Sequence, residues 1–277
     1  MKANMIKEYL RKIVELTGYE LRKIKNASDE DLYISLFGKE SVEQKKFYNI
    51  SAGGHFGFGC GIHHPLWRNV DIDKQWHGKS NYNPEKDIIH DLQSLQPLPI
   101  TTESAEIVYS RVTIEHITNE AAMVFFKETK RILKKGGVFR IVAPNIDLDY
   151  RAYLNDDKHY FFWGAHRSIE QVFLEHFANT GLIKPERFKE LLNEKKLEEV
   201  LDYCTTKHNI GITYHNREKH INWWNPEKLE GMLRSAGFTT IYQSAAEQST
   251  CPVLRNEYYF DNVFQKVMFY MEATKTP

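Results

Sequence analysis

Long apolar runs are what this 277-residue chain most plainly lacks. No stretch approaches the roughly 20 residues needed to cross a bilayer. Through Met1–Glu20, lysines and acids are interleaved with the apolar positions, so neither a secretory leader nor a membrane anchor is expected there. Cysteine is nearly as scarce. Cys60, Cys204 and Cys251 are odd in number and far apart, which argues against a disulfide framework and for a reducing, cytoplasmic setting. Net charge is absent as well, with 37 basic residues against 37 acidic. No Lys/Arg stripe replaces it, which removes the electrostatic basis for a nucleic-acid partner or an anionic membrane. Internal repeats and low-complexity tracts are missing too. The expectation is a soluble cytoplasmic protein acting on a small molecule, with its oligomeric state left open.

Aromatic residues, by contrast, are plentiful at 13%. The front of the chain, residues 1–45, reads as a helical extension. Ile6, Tyr9, Leu10, Ile13, Val14 and Leu16 share a helical face, and a second short helix is expected after Ser28, with Glu30 and Asp31 in its first turn. From Lys46 the pattern changes to strand, turn and helix units. Strands are expected at Phe47–Ile50, Asn69–Ile72, Asp87–Leu92, Ala105–Ser110 and Val138–Ala143, which implies an α/β fold with a mostly parallel sheet. The charged helical run Phe126–Lys135 is expected to end on Gly136-Gly137, with lysines in its last turn and a glycine cap. Residues 151–222 break the rhythm as a helix-rich insertion holding six histidines, with helices expected over Ile169–Thr180 and Pro185–Tyr203. The core resumes over 223–277, where a helix follows Asn225-Pro226 and a last strand over Gln265–Ala273 is placed at or near an edge.

In such folds ligands bind where strands end at their carboxyl side. Ser51-Ala52-Gly53-Gly54 follows the first strand and offers small residues for close backbone approach. Asp71 ends the second strand about twenty residues on, where an acid can take a ribose diol or serve as an ordinary loop aspartate. Asp91, in His90-Asp91-Leu92, can meet an adenine amino group while Leu92 packs on the ring, or simply cap a turn. Glu115-His116 after the fourth strand reads as an acid–base pair or as a structural pair bracing the turn. Cys60, His63 and His64 are proper ligand types, but no second paired motif completes a four-ligand site, so no metal is expected.

Taken together, these motifs resemble class I S-adenosylmethionine-dependent methyltransferases of the type-11 methyltransferase-domain group. The family's Leu-Asn-Leu-Gly-x-Gly-Gly is similar to Tyr48–Gly54, and its Gly-Trp-x-Asn-Val-Asp-Ile to Leu66–Ile72. Its His-Asp-Leu and following Leu-Pro segment resemble His90–Leu92 and Pro97–Pro99. Its Tyr-Ser-Ser-His-Val-Leu-Glu-His-Leu resembles Tyr109–Ile117, and its Lys-Pro-Gly-Gly and Arg-Ile-Val-x-Pro-Asp resemble Lys134–Asn145. The resemblance covers about residues 46–150 and 220–275.

It implies a Rossmann-like, mostly parallel seven-stranded sheet with an antiparallel C-terminal strand. The core would be residues 46–150 and 223–277, with 151–222 as a helical substrate cap. The implied cofactor is S-adenosyl-L-methionine. Ser51, Ala52, Gly53 and Gly54 would line its methionine part, Asp71 the ribose, and Asp91 and Leu92 the adenine. Ser110 and Arg111 would border the sulfonium. His116 and His220, with Glu115, are the candidate catalytic groups for methyl transfer to a small polar acceptor such as a sugar or glycan-pathway hydroxyl. Two residues depart from the family's pattern. Ser51 stands where the family has its first glycine, and Val112 where it has a histidine. They leave room for a non-catalytic, methyltransferase-like binding or scaffold protein. A nicotinamide-dependent oxidoreductase is a further alternative, from the Tyr82 and Lys86 spacing, although Pro84 opposes it.

Overall fold

The computed structural model describes residues 29–50, 64–72, 87–164, 166–178, 183–206, 219–262 and 264–276. Seven strands form one sheet: β1 (Phe47–Ile50), β2 (Arg68–Asp71), β3 (Ile88–Ile89), β4 (Ala105–Arg111), β5 (Leu133–Pro144), β6 (Thr240–Ser244) and β7 (Met268–Thr274). Their order is β3-β2-β1-β4-β5-β7-β6. β1 to β5 pair in parallel, while β7 runs antiparallel to both β5 and β6. The expected seven-stranded sheet with one antiparallel strand is therefore present. β7 lies one place in from the edge and is buried along almost its whole length.

Both faces of the sheet are covered, as a parallel sheet requires. On one face lie α2 (Asn119–Ile132) and α7 (Pro226–Ser235), whose Phe125, Phe126, Leu229 and Leu233 join Ile50, Val108 and Ile141 in one apolar cluster. On the other, Tyr33 and Val42 of α1 (Glu30–Glu43) pack with Phe47, Trp67, Ile107, Tyr109 and Phe260. The expected short helix after Ser28 is thus 14 residues with Asp29 as its N-cap, broken in the middle by Gly38 at φ 79°. The expected helix over residues 5–24 lies outside the described residues.

α2 starts where Thr118 accepts a hydrogen bond from the amide of Ala121 at 3.1 Å, a side-chain N-cap. It ends earlier than expected, at Ile132. The pair Gly136-Gly137 does not cap it but lies inside β5. Ile132 and Leu133 are both fully buried, and Leu133 is already extended and paired with Ala105. The β4–β5 register then shifts, and Gly136 supplies the left-handed φ of 80° within the strand. Gly137 is required for space: a Cβ there would sit 2.9 Å from the Lys134 carbonyl oxygen and 3.1 Å from that of Glu106.

Beyond β5 come α3 (Ile146–Leu154), α4 (Ile169–Glu175), α5 (Pro185–Glu194) and α6 (Leu197–Thr206). The expected long helix from Pro185 is two helices, separated at Lys195-Lys196. These helices share a third apolar cluster around Phe161, Phe173, Phe188 and Leu201. Among the described residues, no helix is long and apolar enough to cross a membrane.

Candidate functional site

The ends of β1, β2 and β4 adjoin, because Ile50 pairs with Val70 on one side and Ser110 on the other. Asp71, the last residue of β2, is buried and accepts the amide of Ile72 at 2.8 Å. Its carbonyl takes the amide of His90 at 2.7 Å, which brings Asp91 and Leu92 to the same edge. Asp91 accepts the amide of Gln93 at 3.0 Å and so caps the turn over Leu92–Ser94. Leu92 is buried against the α2 side of the sheet. Ser110 is fully buried, and its Oγ has no hydrogen-bond partner among the described residues. Arg111 donates to Asn262 Oδ1 at 2.7 Å. Strand alternation turns Ser110 and Arg111 to opposite faces of the sheet. Ser51, Ala52, Gly53, Gly54, Cys60, His63, Tyr82 and Lys86 lie outside the described residues.

His64, considered above as a metal ligand, is committed elsewhere. Its Nδ1 accepts the amide of Leu66 at 3.2 Å, which leaves the proton on Nε2, 3.3 Å from Asp29 Oδ1.

After β4 the chain turns sharply at Val112, whose φ is 52°. A left-handed backbone costs a residue with a Cβ about 1–2 kcal/mol, and a β-branched one is rarer still. The turn is held by the Val112 amide on the Val142 carbonyl at 2.9 Å. It sends the chain into a single 3-10 turn, Ile114–His116, that buries Glu115.

The three candidate catalytic residues converge here. Glu115, His116 and His220 each offer one ligand-type atom, and these atoms lie within 4.8 Å of one another. The His116 and His220 rings pack edge to face at 4.7 Å. Segments more than a hundred residues apart are joined here through the main chain of the turn. The Glu115 carbonyl accepts the amides of Ile221 at 2.8 Å and Asn222 at 3.1 Å, and Asn222 Nδ2 donates to the Ile117 carbonyl at 2.9 Å. His220 Nδ1 lies 2.6 Å from the His176 carbonyl, and His116 Nδ1 lies 3.2 Å from the Lys219 carbonyl. A carbonyl can only accept, so both rings carry a proton on Nδ1, and in the neutral His220 ring Nε2 holds the lone pair.

Burial pushes the Glu115 carboxyl up to about 8. Both of its oxygens are buried without a hydrogen-bond partner among the described residues. Burial, with the neighbouring His116 and His176, holds the His220 imidazolium well below the usual histidine range.

Asp149, Tyr160 and His176 were not singled out in the sequence, where His176 was one of the six histidines of the insertion. The structure joins all three to the site. Asp149, fully buried on α3, accepts from Tyr160 OH at 2.6 Å and from His176 Nδ1 at 2.6 Å. Burial lowers the His176 imidazole, but Asp149 outweighs it and the net shift is upward. The available signal was an acid on the apolar face of α3, in step with Ile146 and Ala152.

These residues fit the cofactor that the motif resemblance implies. A buried serine hydroxyl with no partner among the described residues and an acid at the adjoining strand end suit a ligand carrying hydroxyls and an amino-acid end. Glu115, His116 and His220 form the one group of three candidate metal ligands among the described residues.

Residues 56–141 match a family model described as "Methyltransferase domain". The match opens just beyond Gly53-Gly54 and closes within β5. No curated protein sequence matches the chain significantly. Among solved structures, a SAM-dependent methyltransferase from Thermotoga maritima is 14% identical with a TM-score of 0.43, covering 83% of this chain and 82% of its own. One from Archaeoglobus fulgidus is 12% identical with a TM-score of 0.41, covering 83% and 85%. One from Mesorhizobium loti is 11% identical with a TM-score of 0.40, covering 82% and 90%. Over residues 56–141 the chain is therefore similar to a methyltransferase domain, carried on a seven-stranded sheet with one antiparallel strand.

Proposed function

We propose that the chain transfers the cofactor's methyl group to a hydroxyl of a small polar acceptor, with a sugar or glycan-pathway hydroxyl as the leading class. The observation that supports this reading is the meeting of Glu115, His116 and His220 just past the end of β4. When bound, the cofactor would supply an electrophilic sulfonium methyl, which passes to an oxygen lone pair while the carbon–sulfur bond breaks and its electrons go to the leaving sulfur.

The protein's own share is orientation, exclusion of water and proton handling. Asp71 holds the ribose hydroxyls in this reading, Asp91 and Leu92 frame the adenine, and Ser110 meets the cofactor from the middle of the sheet. His220 is the base. Its Nδ1 proton is tied to the His176 carbonyl, so the Nε2 lone pair is the one that takes the acceptor's proton. Glu115 fixes the His220 segment through its carbonyl, and His116 sets the opposite wall of the small space around Nε2. The helices over 151–222 form the acceptor's cap, and their aromatic residues suit the apolar faces of a sugar ring.

Assays with a panel of sugar hydroxyl acceptors test this. His220→Ala is expected to lower kcat by about a hundred- to ten-thousandfold, the usual range for losing a general base, with affinity for S-adenosylmethionine retained. Unchanged turnover in that variant would remove the base assignment. Transfer to amines alone would remove the hydroxyl acceptor.

A further inference from the structure

The Glu115–His116–His220 cluster has the composition and the supporting bonds of a metal centre. Two imidazoles and one carboxylate are a ligand set used for catalytic zinc and for other divalent first-row ions. Ligating histidines characteristically donate their second ring N–H to a carbonyl or carboxylate, which orients the ring and fixes the tautomer. His220 does so to His176 at 2.6 Å, and His116 to Lys219 at 3.2 Å. The carboxylate adds an independent sign: both Glu115 oxygens are buried without a well-formed hydrogen bond among the described residues, the nearby amides of Glu115 and Thr113 offering only partial compensation. An unsatisfied buried carboxylate costs stability unless something else satisfies it.

The geometry is near closure. Ligand atoms about 2.1 Å from a tetrahedral ion lie roughly 3.4 Å apart. The three atoms here are already within 4.8 Å of one another, so closing the set takes movements of about 1.4 Å at most. Glu115 and His116 come from one turn, and His220 is clamped to that turn by the Glu115 carbonyl, so the set stays together without the ion.

We infer that Glu115, His116 and His220 bind one divalent transition-metal ion, with Zn²⁺ or Co²⁺ as suitable probes. Three protein ligands leave at least one position open, as in catalytic rather than structural centres. An acceptor hydroxyl bound at that position would lose its proton to water more readily, and its oxygen would keep the lone pair needed for attack on the methyl carbon. The inference goes beyond the proposed function and replaces one step of it: with the ion bound, the His220 Nε2 lone pair is held by the metal and the acceptor's proton passes to water rather than to His220. The binding claim does not depend on which acceptor is used.

The test is titration of chelator-treated full-length protein with Co²⁺, followed by visible absorption, with Zn²⁺ competition and calorimetry beside it. One equivalent is expected to bind with the spectrum of a low-coordinate nitrogen and oxygen site. Glu115→Gln, His116→Ala and His220→Ala should each weaken binding by more than about tenfold, the cost already attached to losing a supporting hydrogen bond. Zn²⁺ should also raise the melting temperature of the wild type and not of Glu115→Gln. A Cys60→Ser, His63→Ala chain should keep wild-type affinity. Absence of binding, or binding unchanged in Glu115→Gln and His220→Ala chains that melt cooperatively, would overturn the inference. So would loss of binding in the Cys60→Ser, His63→Ala chain. Binding of S-adenosylmethionine, measured on the same samples, separates this failure from failure of the methyltransferase reading.

Discussion

His220 donates its Nδ1 proton to the main-chain oxygen of His176 at 2.6 Å, across 44 residues of sequence. That bond attaches the segment before α7 to the end of α4. It also fixes the proton of the neutral His220 ring on Nδ1. The His176 side chain is held in turn by Asp149, which Tyr160 also holds. The candidate site is therefore supported from the helices over 146–206 as well as from the sheet.

Tyr160→Phe is expected to lower stability without changing the fold. It removes a hydrogen bond to a buried carboxylate, a loss of about 1.5–3 kcal/mol. Urea unfolding should show an earlier midpoint with an unchanged m-value. An unchanged midpoint would mean that Asp149 does not need the phenol.

Asp71→Ala should weaken binding of S-adenosylmethionine at least about tenfold, or 1.4 kcal/mol. Calorimetry measures it directly. Wild-type affinity in that variant would remove Asp71 from the ribose.

The buried charges around β5 are expected to be structural. Arg140 is fully buried and donates from all three nitrogens: to Asp261, to Glu272 at 2.7 Å, to Ser244 at 2.8 Å and to the Ala245 carbonyl at 2.9 Å. Asp261→Ala leaves that cation partly unpaired and should cost about 3–5 kcal/mol. Denaturant unfolding checks it, and a loss under about 1 kcal/mol would contradict the assignment, since that is the range of exposed pairs.

Lys228 gives a pH signature away from the site. Burial pushes its ammonium down to about 7 from the ordinary 10.5. Between those values the unfolded chain binds more protons than the folded one, so this group makes stability rise with pH. Below about 7 the burden is fully present; by about 10.5 it is gone. The stability of the wild type relative to Lys228→Met should accordingly rise from pH 7 to pH 10. A difference that stays flat would show that Lys228 remains charged on its two acceptors, Asn222 Oδ1 and the Trp223 carbonyl, each at 2.8 Å.

Local chemistry made much of this legible in the sequence. Thr118 and Asn225 cap α2 and α7 where a short polar side chain precedes an apolar helical pattern. The strands ending at Ile50, Asp71 and Arg111 were visible as apolar runs stopped by small or polar residues. Gly136-Gly137 was misleading because a glycine with positive φ serves a helix end and a strand bulge equally well. Only the pairing of Leu133 with Ala105 and of Gly136 with Lys275 decides between them. At the site, Glu115, His116 and His220 were legible as separate candidates, but not their meeting, which depends on main-chain bonds over about a hundred residues. Asp149 and His176 were hidden for a related reason. Each is an ordinary helical residue until α3 and α4 pack, and only then does the carboxylate meet the imidazole.

Every role proposed for the site requires S-adenosylmethionine to bind at the ends of β1, β2 and β4. Calorimetric titration of the full-length protein with S-adenosylmethionine, and separately with its demethylated product, measures that binding. Saturable one-to-one binding of both is expected. No binding of either at millimolar concentration, by protein that melts cooperatively, would contradict it.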